Sequence, residues 1–382
     1  MRLAQRVQEL RGEGALAVFA RARELESQGR SIIHMELGEP DFHPAPQVVE
    51  AGRRALAEGR DRYCASRGLP ALREALAAYL QSSRGLACTA GNVVVASGCK
   101  LALYLAMQAL IEPGDEVLYP EPGFPIYPSV THSLGARPVA YRLREAHALQ
   151  PDLDEVARLL TPRTRVLIVC SPNNPTGTVY SRGVLQGLAE LAARHDLAVI
   201  SDEIYARIVY ETPFSSIAAL PGMAARTVVI DGFSKAFAMT GWRLGYAVAP
   251  PEVVEALDRL VMNSFTCAAE FIQIAAVEAL RDPGGHTAAM VAEFARRRAL
   301  FAGGLDAHPA FRCPAPQGAF YAWAHVERAE EVQRRLLEEG GVAAIHGRAF
   351  GPEGEDFLRF SFAGASGQLE EALRRIRATI VL

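Results

Sequence analysis

From about residue 90 to 250, short runs of β-branched and other apolar residues alternate with longer stretches whose apolar positions recur at helical spacing. That is the pattern of an α/β domain with a mostly parallel sheet. Strands are predicted at 92–96, 116–119, 165–170, 197–201, 226–231 and 244–248, and helices at 100–111 and 182–195. The run at 165–170 is continuously apolar, as a strand covered on both faces must be. Helices dominate from 252 to about 304, and mixed elements follow: strands near 319–323, 342–345 and 357–362, helices near 327–339 and 368–379. An N-terminal helix at 17–28 and a strand at 32–37 can join these. The economical division is a large α/β domain at 45–281 and a smaller α+β domain built from 1–44 and 282–382.

Composition agrees with this division and narrows the chemistry. The chain has 382 residues, enough for about two domains of roughly 150 residues each. Half of the residues are hydrophobic and 22% charged, which excludes a disordered or fibrous chain. Forty basic residues against 43 acidic ones leave no bulk field for nucleic acid or anionic lipid, so a small-molecule substrate is expected. Six cysteines without a CxxC pair read as reduced thiols of a cytoplasmic protein. No signal-peptide core is visible, and the longest apolar stretch, 101–111, falls far short of the ~20 residues a bilayer needs.

The basic residues are unevenly chosen, because only two of the forty are lysines, Lys100 and Lys235. Arginine replaces lysine freely on a surface, but it cannot supply a neutral amine to attack a carbonyl. In open α/β sheets ligands bind beyond the carboxyl ends of strands, so the residues there carry the argument. After 92–96 come Ser97, Gly98, Cys99 and Lys100, a small-residue turn opening a helix, which suits a phosphate or simply caps the helix. After 165–170 come Ser171, Pro172, Asn173, Asn174, Pro175, Thr176 and Gly177, a stiff turn that can hold the Asn174 amide in place. After 197–201 come Asp202, Glu203, Ile204 and Tyr205; a carboxylate beyond a buried strand needs a positive partner or a solvated turn. After 226–231 come Gly232, Phe233, Ser234 and Lys235, with Arg243 eight residues on. Together these supply an amine, a phosphate cradle, an acid and an oriented amide, the inventory that pyridoxal 5′-phosphate requires.

With these motifs in that order, the sequence resembles the fold type I pyridoxal-phosphate aminotransferases of classes I and II, in the branch related to aspartate aminotransferase. The likeness runs from Ala20 through Leu37, Gly38, Glu39, Pro40, Asp41 and Phe42 to Phe357–Phe362. It implies a mostly parallel seven-stranded sheet with a smaller α+β domain closing over substrate. By this resemblance Lys235 bonds the cofactor and shuttles the proton, Asp202 pairs with the ring nitrogen, and Tyr205 and Asn174 hydrogen-bond the ring 3-oxygen. Ser234, Arg243 and the backbone of Gly98, Cys99 and Lys100 match the phosphate site, and Phe124 stacks on the ring. Tyr63 reaches the phosphate of a neighbouring subunit, which implies a homodimer. Arg359 grips the substrate α-carboxylate by a two-pronged ion pair, helped by Gly38 and Asn174. Lys100 is also a candidate for a substrate's distal group. The segment His346–Phe350 departs from the Pro-Gly turn common in relatives, and the stretch from Trp323 to Glu339 is short; both bear on closure and specificity.

The resemblance implies transamination between an L-amino acid and a 2-oxo acid, 2-oxoglutarate being the expected acceptor, in a ping-pong sequence. A β-C–S lyase on the same fold is the main alternative, and a non-catalytic pyridoxal-phosphate-binding module a second. A nicotinamide dehydrogenase lacks support, since no glycine fingerprint follows a strand. No metal is expected.

Overall fold

The computed structural model describes residues 3–8, 10, 12 and 14–381. Its strands are, in chain order, β1 (Ile33–His34), β2 (Val93–Ala96), β3 (Glu116–Glu121), β4 (Arg137–Arg142), β5 (Thr164–Cys170), β6 (Ala198–Asp202), β7 (Thr227–Gly232), β8 (Gly245–Val248), β9 (Tyr321–His325), β10 (Val342–Ala343), β11 (Ile345–His346) and β12 (Phe357–Ser361). Seven of them form one sheet in the order β2-β8-β7-β6-β5-β3-β4. Only β8 runs against its neighbours, so the sheet is mostly parallel, as expected.

Alternate residues of these strands bury themselves on opposite faces. Val166, Ile168, Ile200, Val228 and Ile230 pack with the helix Cys99–Leu110 on one side. Leu167, Val169 and Val199 pack under the helix Arg182–Arg194 on the other. Fully burying each such side chain contributes roughly 1.5–3 kcal/mol, which is why the central strands read as unbroken apolar runs. The parallel direction brings the carboxyl ends of β5, β6 and β7 to one edge, where the polar turns follow.

The smaller sheets join the two ends of the chain. β1 pairs with β10 in parallel, while β11, β12 and β9 form an antiparallel sheet. Both lie with the helices His286–Asp306 and Ser366–Thr379 over a core of Phe294, Phe301, Phe320, Phe360 and Phe362.

Several elements differ from those expected. The strand predicted at 32–37 keeps only Ile33 and His34; beyond Met35 the carbonyls of Glu36 and Gly38 accept from the Arg359 and Lys235 side chains instead of from a ladder. The strand at 342–345 splits into β10 and β11, and the one at 319–323 runs at Tyr321–His325. The helix at 327–339 begins at Ala329 and ends in a wide turn, Leu336–Gly340. The helices Pro46–Ala57, Pro70–Arg84, Ile126–Ser133 and Leu153–Leu159 and the edge strand β4 were not predicted. No described helix is long and apolar enough to cross a membrane.

Candidate active site

The residues after β2, β5, β6 and β7 converge on one cavity of about 270 Å³. Of the residues singled out in the sequence, Gly38, Cys99, Lys100, Phe124, Asn174, Asp202, Tyr205, Ser234, Lys235, Arg243 and Arg359 line it together. Gly98 stands just behind, at the start of the helix Cys99–Leu110, with φ +99°. A Cβ there would come within 2.5 Å of Arg243 Nη2, so the glycine is what lets the guanidinium lie against the helix N-terminus. Tyr63 is absent from the cavity and 86% exposed.

Lys235 emerges from the turn after β7, and its Nζ donates to the carbonyl of Gly38 at 2.5 Å. Burial pushes the amine down to about 8, with Arg359 and Arg243 lowering it further against the pull of Glu39. Asp202 ends β6, and its carboxylate accepts from Tyr127 Oη at 2.8 Å and from the Ile204 N–H at 3.3 Å. Burial raises it to about 6, opposed by those two bonds and reinforced by Asp231 and Glu203. Burial also raises its neighbour Glu203, but there Arg84, bonded at 2.7 Å, opposes the rise.

At the other end, Arg359 projects from β12. It donates to Asn174 Oδ1 at 3.0 Å and to the carbonyl of Glu36 at 2.5 Å, and its guanidinium lies 4.4 Å from the Tyr321 ring centroid and 4.9 Å from that of Phe350. Phe350 closes the His346–Phe350 segment, which thus packs against the Arg359 guanidinium. Tyr205 shares a 2.7 Å hydrogen bond with Tyr321 Oη. Burial raises its phenol well above the ordinary value, the Tyr321 hydroxyl adding to the effect. Gly38 passes so close to Tyr321 that a Cβ would overlap the hydroxyl at 1.9 Å. Lys100 holds its ammonium 5.3 Å from the ring centroid of Phe124.

Sequence reasoning missed Tyr127, Tyr321, Thr240, Ala15 and Leu16 in the lining. Tyr127 and Tyr321 sit in apolar runs and read as core; the one available signal was that a buried phenol must find a partner. Among the described residues, no group of three or more His, Cys, Asp or Glu side chains is placed to hold a metal ion.

The family model described as "Aminotransferase class I and II" matches residues 30–376. The chain is similar to the aspartate/prephenate aminotransferase of Thermus thermophilus, 40% identical over 382 residues that cover 98% of this chain and 97% of that one. It is similar also to YugH, a putative aminotransferase of Bacillus subtilis, 38% identical over 98% of this chain and 97% of that protein. The solved aspartate aminotransferase from Thermus thermophilus with maleate superposes with a TM-score of 0.94 at 38% identity, covering all of both chains.

Proposed function

The chain belongs to the class I and II aminotransferases, which depend on pyridoxal 5′-phosphate, and from that premise we propose that it passes the amino group of an L-amino acid to 2-oxoglutarate in two separate half-reactions. The observation that carries this reading is the convergence of Lys235, Asp202 and Arg359 on one cavity.

Bound there, the cofactor supplies an aldehyde that condenses with amines and a protonated ring that draws electrons from the bonds at the substrate Cα. Three features support the fit. The buried Asp202 carboxylate has only neutral donors hydrogen-bonded to it and suits a ring N–H⁺. Ser234, Arg243 and the amides at the start of the helix Cys99–Leu110 offer donors for a phosphate. Lys235, with its amine lowered to about 8, has a neutral fraction near neutral pH and can hold the proton taken from the substrate Cα. Phe124 offers a ring to stack on, and Tyr205 and Asn174 offer hydrogen bonds to the ring oxygen. Arg359, braced by Asn174 and by the Glu36 carbonyl, takes the substrate α-carboxylate, with the Gly38 backbone beside it.

2-Oxoglutarate carries a second carboxylate, and a dicarboxylic donor such as aspartate would need the same distal cation. Lys100 on the cavity wall fits that role in both half-reactions. The exposed Tyr63 reaches the site of a second copy in a homodimer, with 45–281 as the large domain and 1–44 with 282–382 as the small one. We place the enzyme in the cytoplasm.

The test starts from Lys235→Ala, which should lose both the visible absorption of lysine-bound cofactor and turnover; full activity would sink the assignment. Wild-type enzyme given an amino acid without an oxo acid should stop after one equivalent of product. Continued release of ammonia and pyruvate would indicate a β-C–S lyase instead.

A further inference from the structure

Both ends of the cavity are held by one short stretch of backbone. The carbonyl of Glu36 accepts from Arg359 and that of Gly38 accepts from Lys235, each at 2.5 Å. The stretch is anchored on its N-terminal side, where Ile33 and His34 pair with Val342 and Ala343 and the Ser361 N–H donates to the Met35 carbonyl at 2.7 Å. At Glu36 itself the anchor is the side chain. This carboxylate is wholly buried; Oε1 lies 2.7 Å from His34 Nδ1, and Oε2 has no hydrogen-bond partner among the described residues. His34 Nε2 in turn lies 3.1 Å from Glu26 Oε1.

Both ring nitrogens of His34 thus face carboxylate oxygens. Only an N–H can bond to such an oxygen, so the two contacts are both made only by the imidazolium. The charged groups around the ring are Glu36 on its own segment and, from the helix Gly14–Ser27, Glu26, which also accepts from Arg23 at 2.8 Å. That helix also brings Phe19, whose ring centroid is 5.7 Å away, and β10 brings only Val342 and Ala343.

We propose that His34 and Glu36 are positioning residues for substrate: their ion pair fixes the 36–38 backbone, and through it Arg359, so that carboxylate binding weakens when His34 loses its proton. Burial works against the imidazolium, but the carboxylates of Glu36 and Glu26 outweigh it and raise His34 above its ordinary value. Binding is therefore tight below that raised pKa and weaker above it.

The inference rests on the reading of Arg359 as the carboxylate site, and the controls separate the two. Calorimetric titration of the holoenzyme with succinate, a non-reacting dicarboxylate, is run from pH 6 to 8.5 on wild type, His34→Gln, Glu36→Gln and Arg359→Lys. His34→Gln should bind roughly tenfold more weakly than wild type at pH 6, the cost of replacing a charge-assisted bond to a buried carboxylate by a neutral amide donor, and the difference should narrow as pH rises. In turnover KM should rise while kcat changes less. Equal affinity of His34→Gln and wild type at pH 6, with Arg359→Lys impaired, overturns the proposal. Undiminished binding by Arg359→Lys overturns the reading of Arg359. Should Glu36→Gln fail to fold, His34→Gln decides alone, since its ring is 28% exposed and its loss leaves no large cavity.

Discussion

Replacing Asp202 by Asn tests the electrostatics of the site without any substrate. In the cofactor-free protein the carboxyl is raised from its ordinary 3.8 to about 6 by burial and by Asp231 and Glu203. A rise of roughly two units means that keeping this group ionised in the fold costs about 3 kcal/mol. The sign follows from linkage: a carboxyl with a raised folded pKa binds its proton more tightly when folded, so stability falls as pH rises from about 4 to 6 and stays lower above. Asn keeps the shape, remains neutral and can still meet Tyr127 and the Ile204 N–H. Cofactor-free Asp202→Asn should therefore be more stable than wild type at pH 8, by up to ~3 kcal/mol or roughly 4 °C in Tm for a chain of this length. The gain should fall to about half at pH 5, where wild type is largely protonated. Adding pyridoxal phosphate should reverse the order, because the ionised Asp202 then has its cation. Paired thermal melts at the two pH values, with and without cofactor, provide the measurement. A wild type that matches the variant at pH 8 without cofactor, or a gain independent of pH, would refute the reasoning.

Two further outcomes follow from the geometry. In cofactor-free protein, labelling of Lys235 by an amine-directed reagent, followed by peptide mapping, should rise with a midpoint near pH 8, since burial lowers the amine; a midpoint above 10 would contradict this. Gly38→Ala puts a methyl into the Tyr321 hydroxyl, so kcat/KM should fall about a hundredfold through the displaced Tyr205–Tyr321 pair and Lys235 contact, with partial recovery when Tyr321 is also changed to Phe.

What the sequence made legible was the part of the site that sits at strand ends. Asn174, Asp202, Ser234 and Lys235 follow strands whose apolar runs are unbroken, and each comes where a parallel sheet exposes its carboxyl edge. The strand β4 was hidden because it lies at the sheet edge: Arg137 and Arg142 are exposed, and Pro138 is tolerated where only one side needs a ladder. The segment 32–37 misled in the opposite sense. Its apolar pattern promised a full strand, but Arg359 and Ser361 take carbonyls at Glu36 and Met35 that a longer ladder would have used. The tyrosines of the site escaped notice because aromatic residues in apolar runs bury area first, and their hydroxyl partners are set by packing that no local pattern encodes.

The acids at the sheet edge show how sequence and fold divide the work. Asp202, Glu203 and Asp231 stand on adjoining strand ends, and all three are buried. Arg84, at the end of the helix Pro70–Arg84, bonds to both Glu203 and Asp231; Ser201 and Ser216 donate to Glu203, and Tyr246 donates to Asp231. Two of the three acids thus share one buried cation and take neutral hydroxyl donors besides, where a buried charge with no such partner would be costly. Asp202 alone receives only neutral donors through its hydrogen bonds, and it alone of the three lines the cavity. The fold sets a buried arginine against the neighbouring acids and none against this one, which is the arrangement the proposed role of Asp202 toward a ligand cation requires. By the same reasoning Arg84 bears on the site's electrostatics through Glu203 and Asp231, although it does not line the cavity.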